Sequence, residues 1–179
     1  MRLDDLPPGF DEPVDALLGF HRRIERQLAS LGRLPVHIEA CGMDAESSAL
    51  AGSALEFFTE SIALHHADEE DLLPLIDQRL GHGERRERLR DLRARVETEH
   101  REMDRAWKSL RRPLEGISEG VSRVLPADLM QYFRFLHASH IALEESSFHL
   151  EAARSLLPAD RASLGRGMVA RRIRRRRFA

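Results

Sequence analysis

The sequence predicts an all-α protein: an antiparallel, up-down four-helix bundle with a short C-terminal helix or tail. Three observations predict it. Apolar residues recur at three- and four-residue spacing through four long segments, the period of a helix with one buried face. Glycine and proline fall mainly between those segments, and strand-like alternation is absent. The peptides HHADEEDLLPL (65–75) and HIALEESSFHL (140–150) repeat one pattern, a histidine, a glutamate four residues on and then a second acid.

The elements follow in order. Residues 1–12 read as an N-terminal extension, acidic and broken by prolines. The first helix is expected from Pro13, a residue suited to a first turn, to about Leu31. Val14, Leu17, Leu18, His21, Ile24 and Leu28 share its apolar face. The stretch RLPVHIEACGMDAES then reads as a loop, in which His37 and Cys41 are ordinary loop residues. A second helix spans about Ser47 to Leu80, with Phe58, Ile62, His65, Glu69, Leu72 and Ile76 inward, and Pro74 expected to kink or divide it. GHGE (81–84) is a turn. The third helix runs from about Glu84 to Leu110, with Leu89, Val96, His100, Met103 and Trp107 inward. RPLEGISEGVSRVLP reads as a connector. The fourth helix starts near Pro126 and ends near Leu157, with Leu129, Phe133, Leu136, His140, Glu144 and Ser147 on one side. The bundle is thus expected over 13–157, and a C-terminal helix with an arginine-rich tail over 158–179.

Composition excludes several classes. No apolar run reaches the roughly 18 residues of a membrane-spanning helix, and the N-terminus lacks the basic start and apolar stretch of a secretory signal. Cys41 is the only cysteine, so an internal disulfide and a zinc ribbon are both excluded. A cytoplasmic location is the default expectation. The net charge of −2 hides an asymmetry: RGMVARRIRRRRFA at the end is strongly basic and has no acid, so the remainder is acidic.

The candidate chemistry lies on the apolar stripes. Four residues of α-helix turn a side chain by a net ~40° and raise it by about 6 Å. His65 and Glu69 therefore aim at one point, as do His140 and Glu144. Each long helix carries a histidine near the middle of its stripe: His21, His65, His100 and His140. Antiparallel packing can bring all four to one level. Two carboxylates buried among them would each cost several kcal/mol without a cation, and no Lys or Arg lies nearby on those stripes. A metal ion answers that need, and imidazole with carboxylate suits iron, manganese or zinc.

These motifs resemble the hemerythrin-like proteins, in the branch named for its His-His-Glu cation-binding pattern, and its bacterial members in particular. His65-x-x-x-Glu69 followed by Glu70 and Leu72-Leu73-Pro74 looks like the second-helix signature of that family. His140-x-x-x-Glu144-Glu145 looks like the fourth. His21 in LLGFHRRIERQL and His100 in ETEHREMDRAW look like the first- and third-helix ligands. The resemblance covers about residues 13 to 157. It implies a bundle holding two non-haem irons, bridged by the two carboxylates and an oxygen species (oxo or hydroxo), with zinc or manganese as substitutes. One departure bears on oxygen carriage. The carriers have two histidines four apart on the third helix, whereas Val96 and Asp104 flank His100 here. Ferritin-like di-iron bundles place the carboxylate first, as Glu-x-x-His, the reverse of this order.

Glu25, His66, Asp104 and His137 are candidates for a further ligand or for an acid or imidazole that orients one. His149, opposite His140 on a continuous helix, reads as structural, and Glu70 and Glu145 as facing solvent or a neighbouring helix. Phe58, Ile62, Met103 and Leu136 are expected to line an apolar pocket. The function expected is binding or sensing of dioxygen, peroxide or nitric oxide at a di-iron centre, with output through an unknown protein partner. No nucleophile with a base and no phosphate loop is present, so any peroxidase or oxidase activity would be weak and would come from the metal. The alternatives are iron storage or delivery, including cluster repair, and a structural adaptor. In the adaptor, the Arg171–Arg177 tail would bind nucleic acid or an anionic membrane. The plainer reading of that tail is arginines folding back on the acidic body.

Overall fold

A computed structural model describes residues 9–176. Residues 1–8 of the expected N-terminal extension, and Arg177 of the tail, lie outside the described residues. Among the described residues the chain is helical with no strand: α1 (Pro13–Cys41), α2 (Ala45–Glu56), a π-helical turn (Phe57–Ser61), α3 (Ile62–Arg79), α4 (Glu84–Ser118), α5 (Ala127–Ser146), α6 (Phe148–Ser155) and α7 (Pro158–Arg176). Among the described residues no helix is long and apolar enough to cross a membrane.

Two helices run past the prolines where the sequence predicts loops. α1 continues through Pro35 to Cys41, so His37 and Cys41 lie on its last turns rather than in a loop. An internal proline costs about 3 kcal/mol through its missing donor and its ring clash. Leu34 and Ile38 extend the buried stripe at the correct spacing, and each is worth about 1.5–3 kcal/mol on burial. The stripe therefore outweighs the proline. Gly42 ends the helix, with φ +80°, a left-handed stop that suits glycine. α4 likewise runs through Pro113, because Leu114 and Ile117 are fully buried one turn further on.

α2 starts with Asp44 and Ser47 capping each other. The Ser47 N–H donates to Asp44 Oδ1 at 2.8 Å and the Asp44 N–H to Ser47 Oγ at 2.9 Å. Pro74 does not divide the expected second helix, since it lies inside α3. The irregularity falls earlier, at Phe57–Ser61, where a wider turn lets the neighbours Phe57 and Phe58 both be buried. The expected fourth helix is broken instead of continuous. At Ser147 the backbone leaves helical geometry (φ −126°, ψ −96°), and α6 resumes at Phe148. Ser146 and Ser147 turn their hydroxyls back onto the carbonyls of Ala142 and Leu143, a habit that bends helices.

The described residues group into two compact units. The first takes residues up to 21, 64–96 and from 141 onward. Its core joins Val14, Leu17, Leu72, Ile76, Phe148 and Met168. α7 belongs to it, fixed by Arg79 donating to Asp160 at 2.6 Å through two nitrogens, and by Arg171 and Arg172 donating to the fully buried Asp68. The second unit takes residues 22–63 and 97–140. Its core holds the α1 stripe from Ile24 to Ile38 and an aromatic group of Phe58, Trp107, Phe133 and His137.

Candidate metal centre

The first unit gathers the donors of three helices. α1 brings His21 from the stripe that buries Leu17 and Phe20; α3 brings His65 and Glu69; α5 brings Glu144. All four are buried, the two carboxylates completely. Each offers one ligand atom, and these atoms lie within 4.8 Å of one another. The i, i+4 relation on α3 sets His65 Nε2 2.9 Å from Glu69 Oε1. His21 Nε2 stands 3.1 Å from Glu144 Oε2 and 3.5 Å from Glu69 Oε1. Phe20 stacks on the His65 ring at 4.4 Å and meets it nearly parallel, which fixes the plane of that imidazole.

Burial alone would push the His21 pKa down. The hydrogen bonds and charges of Glu144 and Glu69 overcome that effect and hold it up at about 10. The metal-free cluster thus keeps a proton on His21, and the resulting imidazolium is the cation between two buried carboxylates. A divalent metal would replace that proton at the same place, since ligation needs the neutral imidazole. Two imidazoles and two carboxylates, dry and within a few ångströms, fit a first-row transition metal.

Outer groups orient the imidazoles. His21 Nδ1–H donates to Glu145 Oε1 at 3.1 Å, which leaves Nε2 facing the cluster. His149 lies against the His21 ring, with centroids 5.0 Å apart and planes 28° from parallel.

The second unit holds the other two mid-helix histidines. His100 Nε2 and His140 Nε2 face each other at 3.1 Å, and both rings are buried. His140 Nδ1–H donates to Glu99 Oε2 at 3.0 Å. This fixes its tautomer and turns the Nε2 lone pair toward His100.

The remaining predicted residues are distributed as follows. His66 is half-buried beside His65, with ring centroids 6.1 Å apart. His137 is buried; its Nδ1–H donates to the Phe133 carbonyl at 3.0 Å, and its ring packs on Phe58 and Phe133. Glu25 and Asp104 are exposed, and Glu25 edges a shallow surface pocket with Leu28 and Phe135. Phe58, Ile62, Met103 and Leu136 are all buried in the second unit. His37 faces Asp44 at 3.0 Å.

Three groups escaped sequence reasoning. Glu145 and Glu99 are the acids on His21 and His140. Glu145 follows Glu144 directly and Glu99 precedes His100, so adjacency to a ligand was the available signal. His149 reads as structural on an unbroken helix. The Ser146-Ser147 pair was the sign that this helix breaks.

Residues 12–151 match the family model described as the hemerythrin HHE cation binding domain. The chain belongs to this family. A relative in Haemophilus influenzae, named only as an uncharacterized protein, is 28% identical over 164 residues, 91% of each chain. This hemerythrin-family chain is accordingly a helical protein of a cation-binding family, with a buried His/Glu cluster suited to a metal ion.

Proposed function

We propose that this hemerythrin-family protein holds non-haem iron and uses it to bind or sense a small ligand: dioxygen, peroxide or nitric oxide. One observation carries the reading: His21, His65, Glu69 and Glu144 converge within 4.8 Å in a fully buried setting. His21, His65, Glu69 and Glu144 would hold one ion. His100 and His140, whose Nε2 atoms face each other in the second unit, would contribute two donors to the second ion that the family resemblance implies. When bound, iron supplies a redox-active centre with room for a small exogenous ligand. The chain's own residues do the rest. Glu145 and Glu99 hold the Nδ1 protons of His21 and His140, so the opposite nitrogens stay available as donors. Phe20 keeps bulk water from the His65 face. Within the second unit, Phe58, Ile62, Met103 and Leu136, buried there as are His100 and His140, would supply an apolar wall that slows solvent exchange. The metal-binding domain in this reading spans 13–157, with α7 packed onto the core of the first unit through Leu164 and Met168.

The reading is tested by titrating anaerobic, ferrous protein with nitric oxide and, separately, with dioxygen and peroxide. Saturable and reversible visible bands at about one ligand per metal centre are expected. Absence of any spectral response, in protein that retains its iron, would refute ligand binding.

A further inference from the structure

The break at Ser147 has a chemical consequence for His21. On a continuous helix, residue 149 lies five positions after Glu144, a rotation of about 500° and so ~140° away from it. His149 would then point away from the cluster. Because α5 stops at Ser146 and α6 restarts at Phe148, His149 instead turns inward and is 2% exposed. Its ring lies face to face with His21, 5.0 Å between centroids and 28° from parallel. Phe148 meets it edge-on at 4.7 Å. Glu145, just before the break, accepts the His21 Nδ1 proton at 3.1 Å. Burial does not force Glu145 into that position, since its side chain is 45% exposed. Leucine would serve to fill the space at 149; an imidazole is a costlier choice in a dry site.

We propose that Glu145 and His149 are positioning residues for His21. Glu145 fixes which nitrogen faces the cluster, and His149 fixes the plane of the ring. The break at Ser147 is the device that lets one stretch of chain supply Glu144, Glu145 and His149 to the same imidazole. His149 itself lies outside the set of four donors within 4.8 Å, so its role is to hold a ligand. The inference rests on the metal reading above.

The test uses the full chain in five forms: wild type, Glu145→Ala, Glu145→Gln, His149→Ala and His149→Phe. Cobalt(II) is the probe, because its visible bands report coordination geometry and its affinity is read by chelator competition. Outer groups of this kind are worth about 10- to 100-fold in affinity. Glu145→Ala and His149→Ala are expected to bind cobalt at least about 10-fold more weakly, with altered bands. Glu145→Gln can still accept the His21 Nδ1–H hydrogen bond and His149→Phe still offers a flat ring, so both are expected to recover most of the loss. In metal-free protein, the His21 Nδ1 proton resonance should shift or vanish in Glu145→Ala, and the His21 ring-carbon protons should shift in His149→Ala. Wild-type affinity and bands in both alanine variants would overturn the proposal. So would a His149→Phe variant as weak as His149→Ala, which would make His149 a ligand. Wild type that takes up no cobalt would refute the metal reading alone. The proton resonances would then still decide the positioning, and unchanged spectra in both alanine variants would reject it. Circular dichroism identifies any variant that fails to fold, and the two conservative variants then carry the comparison.

Discussion

His21 carries a proton that burial alone would remove. Its imidazolium is held by Glu144 and Glu69, with the pKa raised from 6.5 to about 10. The folded value exceeds the unfolded one, so the stability that this charge contributes is complete below about pH 6.5 and is lost as pH rises through about 10. The unfolding free energy of metal-free protein, read by urea denaturation, is expected to fall between pH 7 and 10.5 by an amount on the order of a few kcal/mol. His21→Gln should show a much flatter profile, and an equal slope in the two proteins would contradict this assignment. Metal uptake at pH 8 should also release a proton from His21, detectable with an indicator in weak buffer. The pairing of His65 with Glu69 was legible in the sequence because i, i+4 geometry is local, whereas the expected pairing of His140 with Glu144 does not form: Glu144 meets His21, and His140 faces His100. Glu145, Glu99 and His149 were less legible, because their roles depend on which neighbour packs opposite them.

At the scale of the element, α7 is tied to α3 at the residue before a candidate ligand. Asp68 is fully buried next to Glu69 and accepts hydrogen bonds from Arg171 and Arg172. Removing both arginines leaves a buried carboxylate without those two cations, a change that costs about 3–5 kcal/mol. The Arg171→Ala/Arg172→Ala double variant should therefore lose about that much stability by urea denaturation, and a loss under about 1 kcal/mol would show the clamp to be unimportant. Gly42 offers a smaller test. Its φ of +80° has open space around it, so Gly42→Ala pays only backbone strain and should cost about 1 kcal/mol. The helical periodicity made α1, α3, α4 and α5 readable. Their ends were not, because at Pro35 and Pro113 tertiary burial of Leu34, Leu114 and Ile117 outweighs local breaking. The Ser147 break had the opposite origin: two serines, without glycine or proline, interrupt a run whose apolar pattern continues.

For the whole molecule, the uneven charge in the sequence is partly resolved within the first unit. Arg161 pairs with Glu12 at 3.0 Å, and Arg171 and Arg172 with the acids of α3. The described arginines at 171 and 172 are thus engaged by the chain's own carboxylates, which removes much of the charge that a nucleic-acid or membrane reading would need. Fold class was legible at this scale from periodicity alone, and the family match over 12–151 agrees with it. Division of the chain into two compact units was not legible, because the stripes run unbroken from one into the other. The proposed function depends on the buried His/Glu cluster holding a metal ion. The most direct measurement is the metal content and visible spectrum of purified, air-exposed protein beside a His65→Ala/Glu69→Ala variant. About two irons per chain are expected, with near-ultraviolet ligand-to-iron bands, and the variant should lose at least the iron held by His65 and Glu69, with weakened bands. A colourless, folded protein that contains no metal and takes up none on reconstitution would contradict the proposed function.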